Sequence, residues 1–201
     1  EPLVVLQSLE SGESPTDSIE DVIVRRGSSR RFAREPITFR QLSTVIDRST
    51  RPIPVDFLEG GEASLIDLFM IANAVDGLEP GTYAFRQEAT SLELLRAGEF
   101  RREAGVLGLN QALPADASAC LFFMADLDRA LTRFGNRGYR VAQLEASITA
   151  GRCYLAAYAQ RLGATGLTFH DDLVTEFFSP QAQGMGVMFL LAIGKRAVRR
   201  R

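Results

Sequence analysis

Four arginines, two serines and a glycine crowd residues 22–32, VIVRRGSSRRF. Guanidinium forks, hydroxyls and free backbone N–H groups match phosphate oxygens at short range, so Arg26, Gly27, Ser28 and Arg30 have the chemistry to hold a dianion. The competing reading is a solvated basic helix end, because arginines favour the last turn of any helix. These residues alone leave the two readings open. Lys195, the only lysine, and Arg196 follow the last apolar run; they are either a second basic contact or an ordinary charged chain end. His170, the only histidine, sits beside Asp171 and Asp172. It is a catalytic candidate because imidazole changes charge near neutrality; otherwise it is an exposed helix-start residue, with the carboxylates capping that helix. Tyr139 is the other catalytic candidate, set against a packing role on a long helix. Cys120 and Cys153 lie far apart in apolar segments, without a CxxC or a nearby histidine, so buried reduced thiols and no metal site are expected. No G-x-S-x-G, Walker-type loop or G-x-G-x-x-G occurs, which leaves hydrolase, NTPase and Rossmann readings without support.

The elements that must position these groups follow from hydrophobic spacing. Residues 1–15 hold LVVLQSL and the turn-rich SGESP, read as an arm or linker ahead of a domain over 16–201. Asp17 with Glu20 resembles a cap, and Ile19, Val22 and Ile23 share a helical face up to about Arg26. Thr38 with Gln41 forms a capping box for a helix ending near Arg48. Residues 49–64, with two prolines and a Gly pair, read as a loop beside a site. Residues 65–72, 118–125 and 186–194 are near-continuous apolar runs of strand length, which implies a sheet covered on both faces. TYAF and SLELL read as a hairpin, 99–111 as a helix, 126–134 as a short helix, 163–169 as strand or loop, and 171–178 as a helix. Residues 137–162 are the longest helix; Val141, Leu144, Ile148 and Leu155 wrap too far round it for a simple amphipathic face, placing it centrally or at an interface. The expected fold is α+β: an α-β-α sandwich of three layers around a mixed, mainly antiparallel sheet with a long central helix.

Composition bounds the rest. With 201 residues, 46% hydrophobic and 24% charged, the chain has material for one ordinary domain and its core. A net charge of -2 argues against nucleic-acid binding. No apolar run approaches the roughly 20 residues that span a bilayer, so no membrane role and a cytoplasmic location are expected. The abrupt opening and the AVRRR end would suit a domain cut from a longer polypeptide.

Taken in order, the motifs resemble the FMN-dependent nitroreductase superfamily and, within it, the SagB-type dehydrogenase branch that oxidises azoline rings to azoles. Arg26-Gly27-Ser28-Ser29-Arg30-Arg31-Phe32 resembles the opening R-x-S-x-R/K-x-F signature. The resemblance implies Arg26, Ser28 and Arg30 as FMN phosphate or ribityl ligands, with Gly27 for close backbone approach. IANAVDGLEPGTY is similar to the N-x-V-x-G-L and P-G-x-Y sequence, and Gly138-Tyr139-Arg140 with Leu144-Glu145-Ala146 to the R-G-Y-R-x-x-x-L-E-A helix. Gly166, Leu167 and Thr168, ahead of Phe169 and the two aspartates, resemble the G-G-F-D-D-D segment near the flavin ring, and Lys195 with Arg196 a further basic phosphate contact. NAD(P)H as reductant, a small or peptide-borne substrate, and a homodimer or a pseudo-dimer within a larger chain are implied in the same way.

Three departures accompany the resemblance. LEGGEASL replaces P-S-A-G-A-L-Y-P, and Ile148, Gly151 and Arg152 replace the His, Gln and Asn of L-E-A-G-H-x-x-Q-N. Arg133-Phe134 stands where azoline dehydrogenases carry Lys-Tyr. A desolvated lysine can reach a working pKa as a base; arginine stays protonated. The resemblance therefore implies a flavin oxidoreductase first, and a structural or partner domain without turnover as the alternative.

Overall fold

The computed structural model describes residues 3–10, 12–13, 15–58 and 64–197. The opening apolar piece forms strand β1 (Leu3–Val5). Helix α1 (Ile19–Arg25) follows, capped by Ser18, whose hydroxyl accepts from the Asp21 N–H, rather than by Asp17. Asp17 is held elsewhere: it pairs with Arg25 at 2.7 Å and with Arg161 at 2.9 Å. After strand β2 (Ile37–Thr38), helix α2 (Phe39–Ser49) begins on the expected capping box, Thr38 and Gln41 each accepting from the other's backbone N–H. Its face of Phe39, Leu42, Val45 and Ile46 is buried. Residues 59–63 of the loop carrying LEGGEASL, residues 11 and 14 of SGESP, and 198–201 of the basic end lie outside the described residues.

Strands β3 (Ile66–Ala72), β4 (Val75–Asp76), β5 (Gly81–Arg86) and β6 (Ser91–Ala97) come next. The expected single helix over 99–111 is instead two, α3 (Arg101–Leu107) and α4 (Ala112–Asp116). Leu109 and Asn110 both adopt φ 57, a left-handed conformation that a right-handed helix cannot pass through. Strand β7 (Ala119–Asp126), helix α5 (Leu127–Phe134), a 3-10 turn (Gly135–Arg137), helix α6 (Gly138–Ala159), strand β8 (Gly163–Leu167), helix α7 (Asp171–Phe178) and strand β9 (Met185–Gly194) complete the chain.

The main sheet has seven strands in the order β1-β6-β5-β3-β7-β9-β8, and every pairing in it is antiparallel. The parallel component lies apart, in the two-residue β2–β4 ladder. Strand alternation divides the core into two faces. Leu68, Met70, Ala72, Leu121 and Phe123 face α2 and α6, whereas Phe69, Ile71, Phe122 and Met124 face α3 and α7. Helices on both faces exclude water from the central strands, which is why these segments carry no polar alternation. The architecture is the expected three-layer sandwich.

Helix α6 lies on the sheet through one stripe that includes Ala142, Ala146, Ala150, Cys153, Tyr154, Ala157 and Tyr158, all buried at three- and four-residue steps. Its alanines allow close approach. Beyond Ala159 the helix stops, and Arg161 takes φ 62. Among the described residues no helix is long and apolar enough to cross a membrane.

Candidate functional site

Helix α1 delivers the arginine-serine segment to the outer edge of β8. At Arg26 the backbone turns extended (φ -66, ψ 145), and from there main-chain bonds stitch the segment down. The Ser29 N–H donates to the Ala164 carbonyl at 2.9 Å, Ala33 N–H to Lys195 carbonyl at 2.9 Å, and Ala197 N–H to Arg31 carbonyl at 3.3 Å. Phe32 pairs across to Arg196 and is buried. The strand edge and the stretch after β9 thus carry the segment while Arg26, Gly27, Ser28 and Arg30 remain exposed.

Two tyrosines one turn apart on α6 meet this segment. The Tyr154 hydroxyl lies 3.4 Å from Ser28 Oγ and accepts from the Gly166 N–H, and the Arg26 guanidinium stands 5.4 Å over the Tyr154 ring. One turn on, the Tyr158 hydroxyl lies 3.4 Å from Ser29 Oγ, with the Arg196 guanidinium 5.5 Å over its ring. Gly163 is obligatory at this junction, since a Cβ there would stand 2.3 Å from Ser29 Oγ and 2.5 Å from Arg196 Cγ. The basic side chains divide by partner. Arg25 is committed to Asp17 and to the Tyr158 carbonyl, and Lys195 lies 3.5 Å from Glu35. Among the described residues, Arg26 and Arg30 have no carboxylate partner. The Arg26 guanidinium and the Ser28 hydroxyl, both set on Tyr154, with exposed Arg30 two residues on and open space at Gly27, are a donor set matched to a phosphate.

Of the sequence-derived site residues, the structure gathers Arg26, Gly27, Ser28, Gly166 and Arg196 at this edge. Leu167 ends β8 and, like Phe169, packs half-buried against the core of the opposite face. Thr168 accepts from the Gln111 side chain at 3.4 Å. His170 is half-buried at the start of α7, its N–H on the Leu107 carbonyl at 2.9 Å. Tyr139 stands apart: it is half exposed, accepts from Gln143, and precedes Tyr154 by fifteen helical residues, about 22 Å. Tyr154 and Tyr158 are the contacts that sequence reasoning missed. Their four-residue spacing on the helix face that also carries Cys153 was the available signal.

Arg133 donates to the Phe57 carbonyl at 3.3 Å and lies 4.8 Å over the Phe134 ring. Arg129 holds the Ser64 carbonyl and Arg152 the Arg51 carbonyl. The carboxylate of buried Glu145 accepts from the Ser64 hydroxyl at 2.6 Å and the Leu65 N–H at 3.0 Å. The described ends of the 49–64 loop are therefore tied to α5 and α6. Burial pushes the Cys120 and Cys153 thiols up to about 12, so both are neutral and unreactive in the fold. Among the described residues no group of acidic, histidine and cysteine side chains could hold a metal ion.

No family model matches the sequence. A protein of Methanocaldococcus jannaschii that bears a nitroreductase name is 26% identical over 167 residues, 79% of this chain and 82% of its own length. A similarly named Anabaena variabilis structure superposes over 96% of this chain with a TM-score of 0.81 at 28% identity. The fold is the nitroreductase fold. This chain spans 41% of the Anabaena protein, but 91% of a nitroreductase-named structure from Ralstonia eutropha, which it matches with a TM-score of 0.78 at 20% identity. Sequence and fold together support the nitroreductase superfamily. Two more distant structures share the fold: the Vibrio harveyi NADPH:FMN oxidoreductase complexed with NAD+ (TM-score 0.62, 20% identity, 92% and 73% coverage) and the E. coli microcin synthetase McbBCD complex with truncated pro-MccB17 (0.71, 15%, 94% and 77%).

Proposed function

We propose that residues 16–201 form a flavin oxidoreductase domain that holds FMN, with β1 as an added edge strand. Arg26, Ser28 and Arg30 take its phosphate and ribityl oxygens, Gly27 lets the backbone approach, Gly166, Leu167 and Thr168 lie beside the ring, and Arg196 with Lys195 adds positive charge. The observation that carries this reading is the Arg26 guanidinium, which shares Tyr154 with Ser28 and has no carboxylate partner among the described residues, on an edge where neighbouring Arg25 and Arg161 are neutralised by Asp17. When bound, FMN supplies hydride acceptance and donation; the chain binds it and orients it. Titrating the purified protein with FMN tests the reading. Quenching of flavin fluorescence with about one FMN per chain is expected; a colourless protein that takes up none overturns it.

NAD(P)H is the reductant we propose, with a small or peptide-borne acceptor, in line with the NAD+ complex of the Vibrio enzyme. Azoline-ring oxidation ranks below this. That reaction needs a group able to remove a ring proton, and Arg133, bonded to the Phe57 carbonyl, stays protonated. Anaerobic bleaching by a thiazoline peptide, without NAD(P)H, would reverse the ranking. A domain without turnover is disfavoured by the similarity to named oxidoreductases, and bleaching by NAD(P)H at a catalytic rate would count directly against it.

We further propose that the chain pairs with a second copy, or with a like domain of a larger chain. Ile19, Ile23 and Val24 on α1 and Leu144 on α6 are half or more exposed, apolar area that a second subunit would cover. A flavin-loaded monomer in light scattering would contradict this.

A further inference from the structure

Tyr154 and Tyr158 repeat one arrangement. Each presents its hydroxyl to a serine of the clamp segment, Ser28 or Ser29, and its ring face to an arginine, Arg26 or Arg196. The two arginines come from distant parts of the chain, one after α1 and one after β9, and α6 offers a ring to each. Four residues separate the tyrosines, so both units point from the same side of one rigid helix. That helix is fixed at its other end by Glu145 and along its length by the sheet. Gly166 adds a third joint, its N–H donating to the Tyr154 hydroxyl.

We infer that Tyr154 and Tyr158 are positioning residues of the phosphate clamp. They hold Ser28 and the Arg26 and Arg196 guanidiniums at one spacing before the dianion arrives, so that binding spends less side-chain freedom. The reason is chemical as well as geometric. An aromatic face offers each guanidinium a neutral, quadrupolar seat where a carboxylate would neutralise it and compete with the ligand. A tyrosine rack therefore orders the cations and leaves their charge available. This inference rests on the proposed phosphate role of Arg26, and its failure can be told apart from the failure of that role.

The experiment compares FMN with riboflavin, which lacks the phosphate, as fluorescence-quenching ligands for wild type, Tyr154→Phe, Tyr158→Phe and Tyr158→Leu. Loss of one hydroxyl joint should lower the FMN-to-riboflavin affinity ratio about three- to tenfold; in Tyr158→Phe riboflavin affinity and Tm should hold, whereas Tyr154→Phe also orphans the Gly166 N–H and should lower Tm as well. Tyr158→Leu, which also removes the ring beneath Arg196, should lower the ratio further than Tyr158→Phe. In a cycle of Tyr154→Phe with Ser28→Ala, the double variant should lose no more than the larger single loss, because both changes break one joint. If the wild-type preference for FMN survives every tyrosine variant, or FMN and riboflavin weaken together, the positioning role is overturned and the clamp stands. A wild type that binds both ligands equally removes the clamp and this inference with it.

Discussion

Arginine count says little in this chain; what each guanidinium touches decides its role. Arg25 and Arg161 share Asp17, Arg34 pairs with Asp116, and Arg86 with Glu93, whereas Arg26 and Arg30 are exposed and, among the described residues, have no carboxylate partner. Replacing both Arg26 and Arg30 by alanine should weaken FMN binding by at least about 10- to 100-fold, the worth of one charge-assisted contact, and leave riboflavin affinity unchanged; isothermal titration with the two ligands checks this. The cysteines give a second prediction. Their folded pKa of about 12 lies above the roughly 8.5 of a free thiol. A raised folded value means that their contribution to stability is intact below about pH 8.5 and is lost as pH climbs from there towards 12. Native protein should resist a thiol reagent at pH 8 and release two thiols per chain in guanidinium. Tm should decline above pH 9, less steeply in Cys120→Ala.

The site belongs to no single element; it forms where α1, β8, α6 and the stretch after β9 meet. Gly163 is the tightest point of that meeting. Gly163→Ala would force Ser29 or Arg196 aside, with a cost of about 1–3 kcal/mol typical of overpacking and a lower affinity for FMN than for riboflavin. For a chain of this length each kcal/mol moves Tm by about 2–4 °C, so differential scanning calorimetry resolves it. At the far end of the same helix, Glu145 satisfies two donors that have left water. Glu145→Gln keeps the volume but turns an amide N–H₂ towards one of them. A loss of about 1–3 kcal/mol is expected, with the first change being faster proteolysis of the 49–64 loop, read by limited digestion.

For the whole molecule, the sandwich buries both faces of its sheet yet leaves aliphatic side chains outward on α1 and α6. Leu144→Glu should leave monomer stability within about 0.5 kcal/mol, as for most surface changes, while shifting a dimer towards monomer in sedimentation equilibrium. If FMN sits between two copies, its affinity should fall in the same variant. An unchanged oligomer would place the interface elsewhere.

By itself the sequence determined the layered architecture, because uninterrupted apolar runs at 65–72, 118–125 and 186–194 suit only strands covered on both faces, and because the Thr38–Gln41 capping box is a local bond. It also marked the basic segment proposed as the clamp, whose arginines and serines are neighbours in the chain. It misplaced what depends on distant partners. Asp17 looked like a cap and is an ion-pair hub, residues 99–111 looked like one helix and reverse at Leu109 and Asn110, and residues 3–5, which looked like an arm, pair with β6. Nothing local singled out Tyr154 and Tyr158, and only the tertiary structure set them beneath Ser28, Ser29, Arg26 and Arg196. Local patterns report short-range backbone and burial preferences, whereas a side chain's partner is chosen by how the elements pack in three dimensions.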